Sequence, residues 1–424
     1  MYDLKFVRAN EARLREGIAL KGDHADLDRI LELDRQRREV LGEVEALKSE
    51  RNRRSQEIGR NKAAGGDVAA AIAATRELGD RIQAQDESVR AIDAEIAELL
   101  QWVPNLPHAT VPHGDASANQ VVRSWGEPRA TAGLSDHLTL GRELDLLDMA
   151  AASRLSGSGF SVFTGVGARL QRALIDFMLD RHVAHGYREV RVPYATRGET
   201  LFGCGQLPKL RDDMYALAGE DLYLIPTAEV PLTNLCREVE LEERDLPVKL
   251  VAYSPCFRRE AGAYGKETRG LMRLHQFDKV EMVRLVTPES SYEALEQLTA
   301  DAEAVLQALE LPYRVLLLAA GDLSFASSKC YDLELWAPGE GRWLEVSSCS
   351  NFEDFQARRI GLRYRAADGK LRHVHTLNGS GVALPRLTIA VLEHHQTAAG
   401  TVTVPSVLRP YLGGLTELTP PRPA

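Results

Sequence analysis

The sequence predicts an α+β protein: an antiparallel β-sheet flanked by helices, preceded by an antiparallel two-helix coiled-coil arm. Three observations carry this. Residues 27 to 103 keep a 3.5-residue apolar period through many turns, which is a specific coiled-coil signal. From residue 160 onward, short strand-like runs follow one another in hairpin fashion with few helices between them. Parallel strands need a crossover at each step, so this order favours antiparallel pairing. The chain has 424 residues, too many for one ordinary core.

Taken in order, Phe6 to Leu20 has helical spacing, Gly22 and Asp23 punctuate it, and Asp26 is placed to cap the next helix. In the arm, Ile30, Val44 and Ile58 fall at heptad position a, and Leu33, Val40 and Leu47 at d. The second run continues with Val68, Ile82, Val89, Ile96 and Val103 at a and Ala71, Leu78, Ile92 and Leu99 at d. Gly65-Gly66-Asp67 between the runs supplies a turn and a cap, so the helices fold back on each other. The seam decays at the tip, where Arg51 and Arg54 replace apolar residues. Arg51, Arg53, Arg54, Arg60 and Lys62 face only Glu57 there. A basic tip suits contact with phosphates; an ordinary solvated coiled coil has the same look.

Pro104-Asn105-Leu106-Pro107 ends the arm, placing the domain boundary between 1–104 and 105–424. Residues 104 to 160 read as an irregular linker rich in Pro and Gly, with one helix over Asp136 to Ala152. Then come a short strand over Phe160 to Phe163, an amphipathic helix over Gly167 to His185, and a strand over Glu189 to Tyr194 closed by Pro193. Further strands are expected at 222–226, 248–257, 276–286, 313–319, 331–336, 343–349 and 382–384, with a helix from Leu387 to His394.

Composition excludes several classes. No apolar run approaches the roughly 20 residues that span a bilayer, so no membrane partner is expected. A net charge of −9 argues against a protein that coats nucleic acid. The five cysteines form no Cys-x-x-Cys pair, and His373/His375 and His394/His395 lack partners at metal-ligand spacing. The opening residues lack a signal-peptide core, and a reducing cytoplasm is the expected location. No phosphate-binding Gly-x-x-x-x-Gly-Lys loop or dinucleotide fingerprint occurs.

The chemistry-bearing stretch is Phe257-Arg258-Arg259-Glu260-Ala261-Gly262, running on to Arg269-Gly270-Leu271-Met272-Arg273 and Phe277 to Met282. It reads as strand, long charged loop, strand. Arginine forks suit phosphate oxygens, and acids among them suit a ligand that also carries an amine; a solvated charged hairpin has the same composition. Three other clusters stand at strand ends. Glu345-Val346-Ser347-Ser348, with Asp332 and Glu334 on another strand, suits a magnesium ion that holds substrate phosphates; taken alone, a surface strand has the same look. Asn378-Gly379-Ser380 leads to Arg386, and Thr227-Ala228-Glu229 follows Pro226.

Together and in this order, these motifs resemble a class II aminoacyl-tRNA synthetase, and within that class the bacterial-type seryl-tRNA synthetases. Residues 168–194 resemble motif 1, 254–282 motif 2 and 376–395 motif 3. The helical hairpin resembles the family's tRNA arm, and Gly205 to Lys209 and Leu408 to Tyr411 also look like the family. The departures are mild: Lys266-Glu267 stands where the family more often has arginine and aspartate, and Arg259 is at a variable position. The resemblance implies that L-serine and ATP give seryl-adenylate, whose seryl group passes to tRNA(Ser), with tRNA(Sec) as a second acceptor.

By resemblance, Arg258 holds the α-phosphate and the serine carboxylate, and Arg273 and Arg386 hold the outer phosphates. Glu260 accepts from the adenine amine and Phe277 stacks on the base. Arg259, Val346 and Ser347 complete the ATP contacts, and Glu345 and Ser348 anchor Mg2+. Thr227, Ala228, Glu229, Glu281, Asn378 and Ser380 make the serine pocket. Arg51, Arg53, Arg54, Arg60 and Lys62 meet the tRNA, and a homodimer forms through motif 1. The Gly262 to Gly270 loop is implied to move between ATP and the tRNA end. Rival readings are an activating paralogue that loads a carrier protein and a non-catalytic RNA-binding relative.

Overall fold

The computed structural model describes residues 1–261 and 269–421. It divides into two compact units, Met1–Pro104 and Asn105–Ala424. Most of the Gly262 to Gly270 loop, Lys266 and Glu267 included, lies outside the described residues.

Met1–Pro104 opens with two short helices, Leu4–Ala9 and Glu11–Leu20, where a single helix is expected. Asn10 separates them; it leaves helical geometry and its side chain turns back to the Phe6 carbonyl at 3.0 Å. The arm follows as α1 (Leu27–Ala63) and α2 (Ala69–Leu100). At about 1.5 Å per residue each runs on the order of 50 Å. Asp26 caps α1 by accepting from the Arg29 N–H at 2.9 Å. In the turn, Gly65 takes a φ of +76° and Asp67 accepts from the Ala69 N–H at 2.9 Å.

Ile30, Leu33 and Val44 of α1 and Leu78, Ile82 and Ile96 of α2 are buried, as the heptad assignment requires. Cross-helix ion pairs flank the seam: Arg29 with Glu95 at 2.7 Å, Arg37 with Asp93 at 2.5 Å and Lys48 with Asp86 at 3.3 Å. Arg37 is thus accommodated at a core position by an acid on the other helix. Within the two helices no side chain between Val44 and Leu78 is buried, and Ala71, placed on the seam by the heptads, is exposed.

Asn105–Ala424 is built on an eight-stranded sheet. Its strands are β1 (Gln120–Trp125), β2 (Arg188–Glu189), β3 (Val248–Phe257), β4 (Gln276–Val286), β5 (Tyr313–Leu317), β6 (Lys329–Ala337), β7 (Arg342–Asn351) and β8 (His375–Ala383). The spatial order is β1-β5-β6-β7-β8-β4-β3-β2. Every pair is antiparallel except β2 with β3. β3 and β4 pair without interruption from Val248 opposite Leu285 to Phe257 opposite Gln276.

The strand period of two divides β4 between two cores. Val280, Met282 and Val286 enter a large core with Leu170 and Met178 of the helix Gly165–Ala184, Leu298 of Ser291–Ala308 and Leu387 of Leu384–His394. Val283 and Leu285 enter a second core with Ile225, Leu250, Ile360 and Tyr364.

Several expectations are corrected. Gln120–Trp125, read as linker, is an edge strand paired with β5. The helix over Asp136 to Ala152 is two, His137–Glu143 and Met149–Ser156, broken at Asp145, whose φ is +53°. Phe160 to Phe163 contributes only a bridge between Phe163 and Leu147. The strand over Glu189 to Tyr194 shrinks to Arg188–Glu189, and the one at 382–384 begins at His375.

The helix Gly165–Ala184 approaches the preceding segment so closely that a Cβ at Gly167 would lie 2.2 Å from the Leu146 carbonyl oxygen. Gly167→Ala is therefore expected to cost about 1–3 kcal/mol, the usual range for overpacking. A lowered denaturation midpoint checks it; an unchanged midpoint would contradict this packing.

Candidate active site

The odd-numbered residues Phe277, Lys279 and Glu281 of β4 share the face that Val283 and Leu285 continue into the second core. Ser380 of β8 lies opposite Glu281, and Asn378 opposite Val283. These strands form the floor of a cavity of about 520 Å³. Thr227 and Glu229, Arg258, Glu260 and Arg273, Glu345 to Ser348, and Arg386 also line it. Most of the expected residues thus converge from five separate segments, but Ala228, Arg259 and Glu281 do not line the cavity.

The acidic floor is buried. Glu281 has no exposed surface. Its carboxylate takes the Asn378 amide at 2.6 Å and the Lys279 ammonium at 2.6 Å. Glu281, expected to meet a ligand directly, is thus covered by these two partners, and it is they that line the cavity. Glu229 opens the short helix Glu229–Asn234 and is almost fully buried. Its Oε1 accepts from Gln356 Nε2 at 2.7 Å, and Gln356 in turn accepts from the Thr376 hydroxyl at 2.7 Å. Burial, and then the negative charge of Glu281, push the Glu229 carboxyl up to about 7. Thr227 Oγ1 accepts from the Glu229 N–H at 3.2 Å. Ala228 is fully buried and lies off the cavity wall.

The cationic wall comes from three elements. Arg258, just past β3, donates Nε to the Pro226 carbonyl at 3.3 Å and lies over the Phe277 ring, 5.2 Å from its centroid. Arg273 forms an ion pair with Glu260. Arg386 is in the first turn of Leu384–His394; it donates to the Met272 carbonyl at 3.1 Å and the Glu345 carbonyl at 2.7 Å. The helix N-terminus adds its own preference for anions. Arg259 is exposed and does not line the cavity.

On β7, Ser348 Oγ donates to Glu345 Oε1 at 3.3 Å. Asp332 of β6 lies opposite Ser348. Burial, and then the Glu345 charge, raise its carboxyl well above the usual range. Oxygen donors gathered on one wall suit a hard divalent cation. Ser347 differs: it is buried and donates to the Ser380 carbonyl at 2.6 Å, tying β7 to β8. Lys279 and Gln356 were not singled out in the sequence. Lys279 alone carried a signal, standing midway between Phe277 and Glu281 on the same strand face.

A family model described as the tRNA synthetase class II core domain (G, H, P, S and T) matches residues 215–395. One described as the seryl-tRNA synthetase N-terminal domain matches residues 1–107. A serine–tRNA ligase from Caldanaerobacter subterraneus subsp. tengcongensis is 52% identical over 416 residues, covering 97% of this chain and 98% of that one. The chain belongs to the seryl-tRNA synthetase family. The solved seryl-tRNA synthetase of Pyrococcus horikoshii, complexed with ATP, matches over 100% of both chains with a TM-score of 0.94 at 37% identity. The cytoplasmic serine–tRNA ligase of Naegleria fowleri, in complex with AMP, covers 97% of this chain and 96% of its own, with a TM-score of 0.88 at 29% identity. The α+β class II fold and helical arm expected from the motifs are those of the seryl-tRNA synthetase family.

Because its carboxyl is held near 7, Glu229 is largely protonated below neutrality and attracts an ammonium only once ionised. In serine-dependent ATP–pyrophosphate exchange, kcat/KM for serine is expected to fall as pH drops below about 7. Glu229→Gln removes that limb along with most activity. The same substitution removes a buried charge present at pH 8 but absent at pH 5, so it should raise the unfolding temperature more at pH 8.

Proposed function

We infer that this chain is a serine–tRNA ligase. It joins L-serine to ATP as seryl-adenylate, releasing pyrophosphate, and transfers the seryl group to the 3′ end of tRNA(Ser). The convergence of Arg258, Arg273 and Arg386 on one cavity with a buried acidic floor carries this reading. The attacking group is serine's own carboxylate, so no covalent enzyme intermediate is needed, and catalysis consists of positioning and charge stabilisation.

Arg258, leaning on the Pro226 carbonyl and over the Phe277 ring, is assigned both the α-phosphate and the serine carboxylate. Arg273 and Glu260 serve opposite ends of ATP, which asks the two side chains to part. Arg386, braced by two carbonyls, takes an outer phosphate. Glu345 and Ser348 would hold Mg2+, which when bound supplies neutralisation of the pyrophosphate charge. With Glu281 matched by Lys279, Glu229 is left to receive the serine ammonium, and Asn378, Ser380 and Thr227 bound the space for a small hydroxyl. Lost hydrogen bonds disfavour alanine.

Arg51, Arg53, Arg54, Arg60 and Lys62 form the tRNA-facing tip of the arm. All five are partly or fully exposed, and Arg53 and Arg54 lean on Glu50. Such a surface reads backbone shape more than sequence. The tRNA(Sec) acceptor and a homodimer through the helix Gly165–Ala184 complete the reading.

Exchange supported by serine, and not by alanine or threonine, is the expected result; the reverse preference would sink the assignment. Arg258→Lys loses the two-pronged contact and should lower kcat by about 10²–10³, as for loss of one charge-stabilising donor. Deleting residues 28 to 100 should spare exchange and abolish tRNA charging, and loss of both activities would count against a separable arm.

A further inference from the structure

A buried hydrogen-bonded chain outside the cavity links two of the site's segments. His137 opens the helix His137–Glu143 and has no exposed surface. Its main-chain N–H donates to Glu393 Oε1 at 2.9 Å, and its Nδ1 lies 3.1 Å from the same oxygen. On the far side of the ring, Nε2 accepts from the Leu271 N–H at 3.3 Å. The ring proton is therefore on Nδ1 and directed to Glu393. The other Glu393 oxygen accepts from the Gly339 N–H at 2.9 Å and the Glu340 N–H at 3.2 Å. Glu340 Oε1 lies 3.3 Å from Nδ1. His137, Glu340 and Glu393 have the makings of a metal cage, but both Glu393 oxygens and Nε2 are already taken by N–H groups.

The chain leads into the phosphate wall. Leu271 is followed by Met272, whose carbonyl braces Arg386, and by Arg273 itself. Glu393 and Arg386 stand on the same helix, Leu384–His394. Gly270 allows the close approach: its φ is +61°, and a Cβ there would lie 2.3 Å from His137 Nε2. Arg269 pairs with Asp136, one residue before His137.

We propose that His137 is a positioning residue: held by Glu393, it fixes residues 271–273 against the Leu384–His394 helix and so sets Arg273 and Arg386 for ATP. This rests on the assignment of those arginines to phosphates. The serine pocket, on β4, β8 and Glu229, does not share the linkage, so the two substrates should respond differently.

The test is steady-state pyrophosphate exchange by the full chain, with unfolding midpoints measured alongside. His137→Phe should raise the KM for ATP about tenfold or more while leaving the KM for serine within about twofold; displacements of order 1 Å far from the chemistry carry penalties of this size. His137→Asn keeps a donor toward Glu393 but cannot reach Leu271. It should fold and show the same split. Glu393→Gln should move the ATP KM in the same direction, and combining it with His137→Phe should add less than the product of the two single effects. A folded His137→Asn with unchanged ATP KM, or with both KM values raised together, overturns the proposal. Absence of serine-dependent exchange in the unsubstituted protein overturns the activity reading and this proposal with it.

Discussion

Two carboxylates, Glu229 and Glu281, are held out of water at the floor of one cavity. Removing such groups from solvent is costly unless each finds partners. Glu281 has a lysine and an amide; Glu229 has only the Gln356 amide, itself oriented by Thr376. Among the described residues no cation is in direct contact with Glu229, and its proposed role is to receive the serine ammonium. Burial, and then the neighbouring Glu281 charge, raise the Glu229 carboxyl to about 7. On the proposed reading, affinity for an amino acid is built from a local electrostatic imbalance that the fold tolerates.

That tolerance depends on register. The partners of the two acids come from β4, β8 and the helix Phe355–Ile360, and a slip of one residue would turn every β4 side chain to the other face. β4 is locked on both sides, by ten uninterrupted pairings with β3 and by β8. Its opposite face carries Arg284, buried against the Tyr187 hydroxyl at 2.7 Å and Asp301 at 2.6 Å. One strand therefore holds polar groups on both of its faces, each satisfied by a different helix or strand.

Much of this was legible in the residues, for physical reasons. The arm's seam could be read because a heptad period repeats locally, and β4 because its apolar and polar residues alternate in part from Gln276 to Leu285. The edge strand Gln120–Trp125 escaped because its partner β5 lies nearly two hundred residues away and Val121 and Trp125 remain exposed. The break at Asp145 escaped because Leu144, Leu146 and Leu147 are all buried although helical geometry has ended. In the site, the motifs located the side chains but not their pairings. That Lys279 covers Glu281, that Glu260 pairs with Arg273, and that Arg259 points away from the cavity depend on how strands meet in space.

The arm shows a different economy. Between Val44 and Leu78 its helices bury no side chain, so nothing in the interior of the unit constrains which residues stand there. Substitutions in the tip change charge and shape with little cost to folding, whereas the same changes in β4 would undo the sheet. On the proposed reading, a recognition surface at the outer end of the arm is free to change with its nucleic-acid partner while the catalytic sheet stays still.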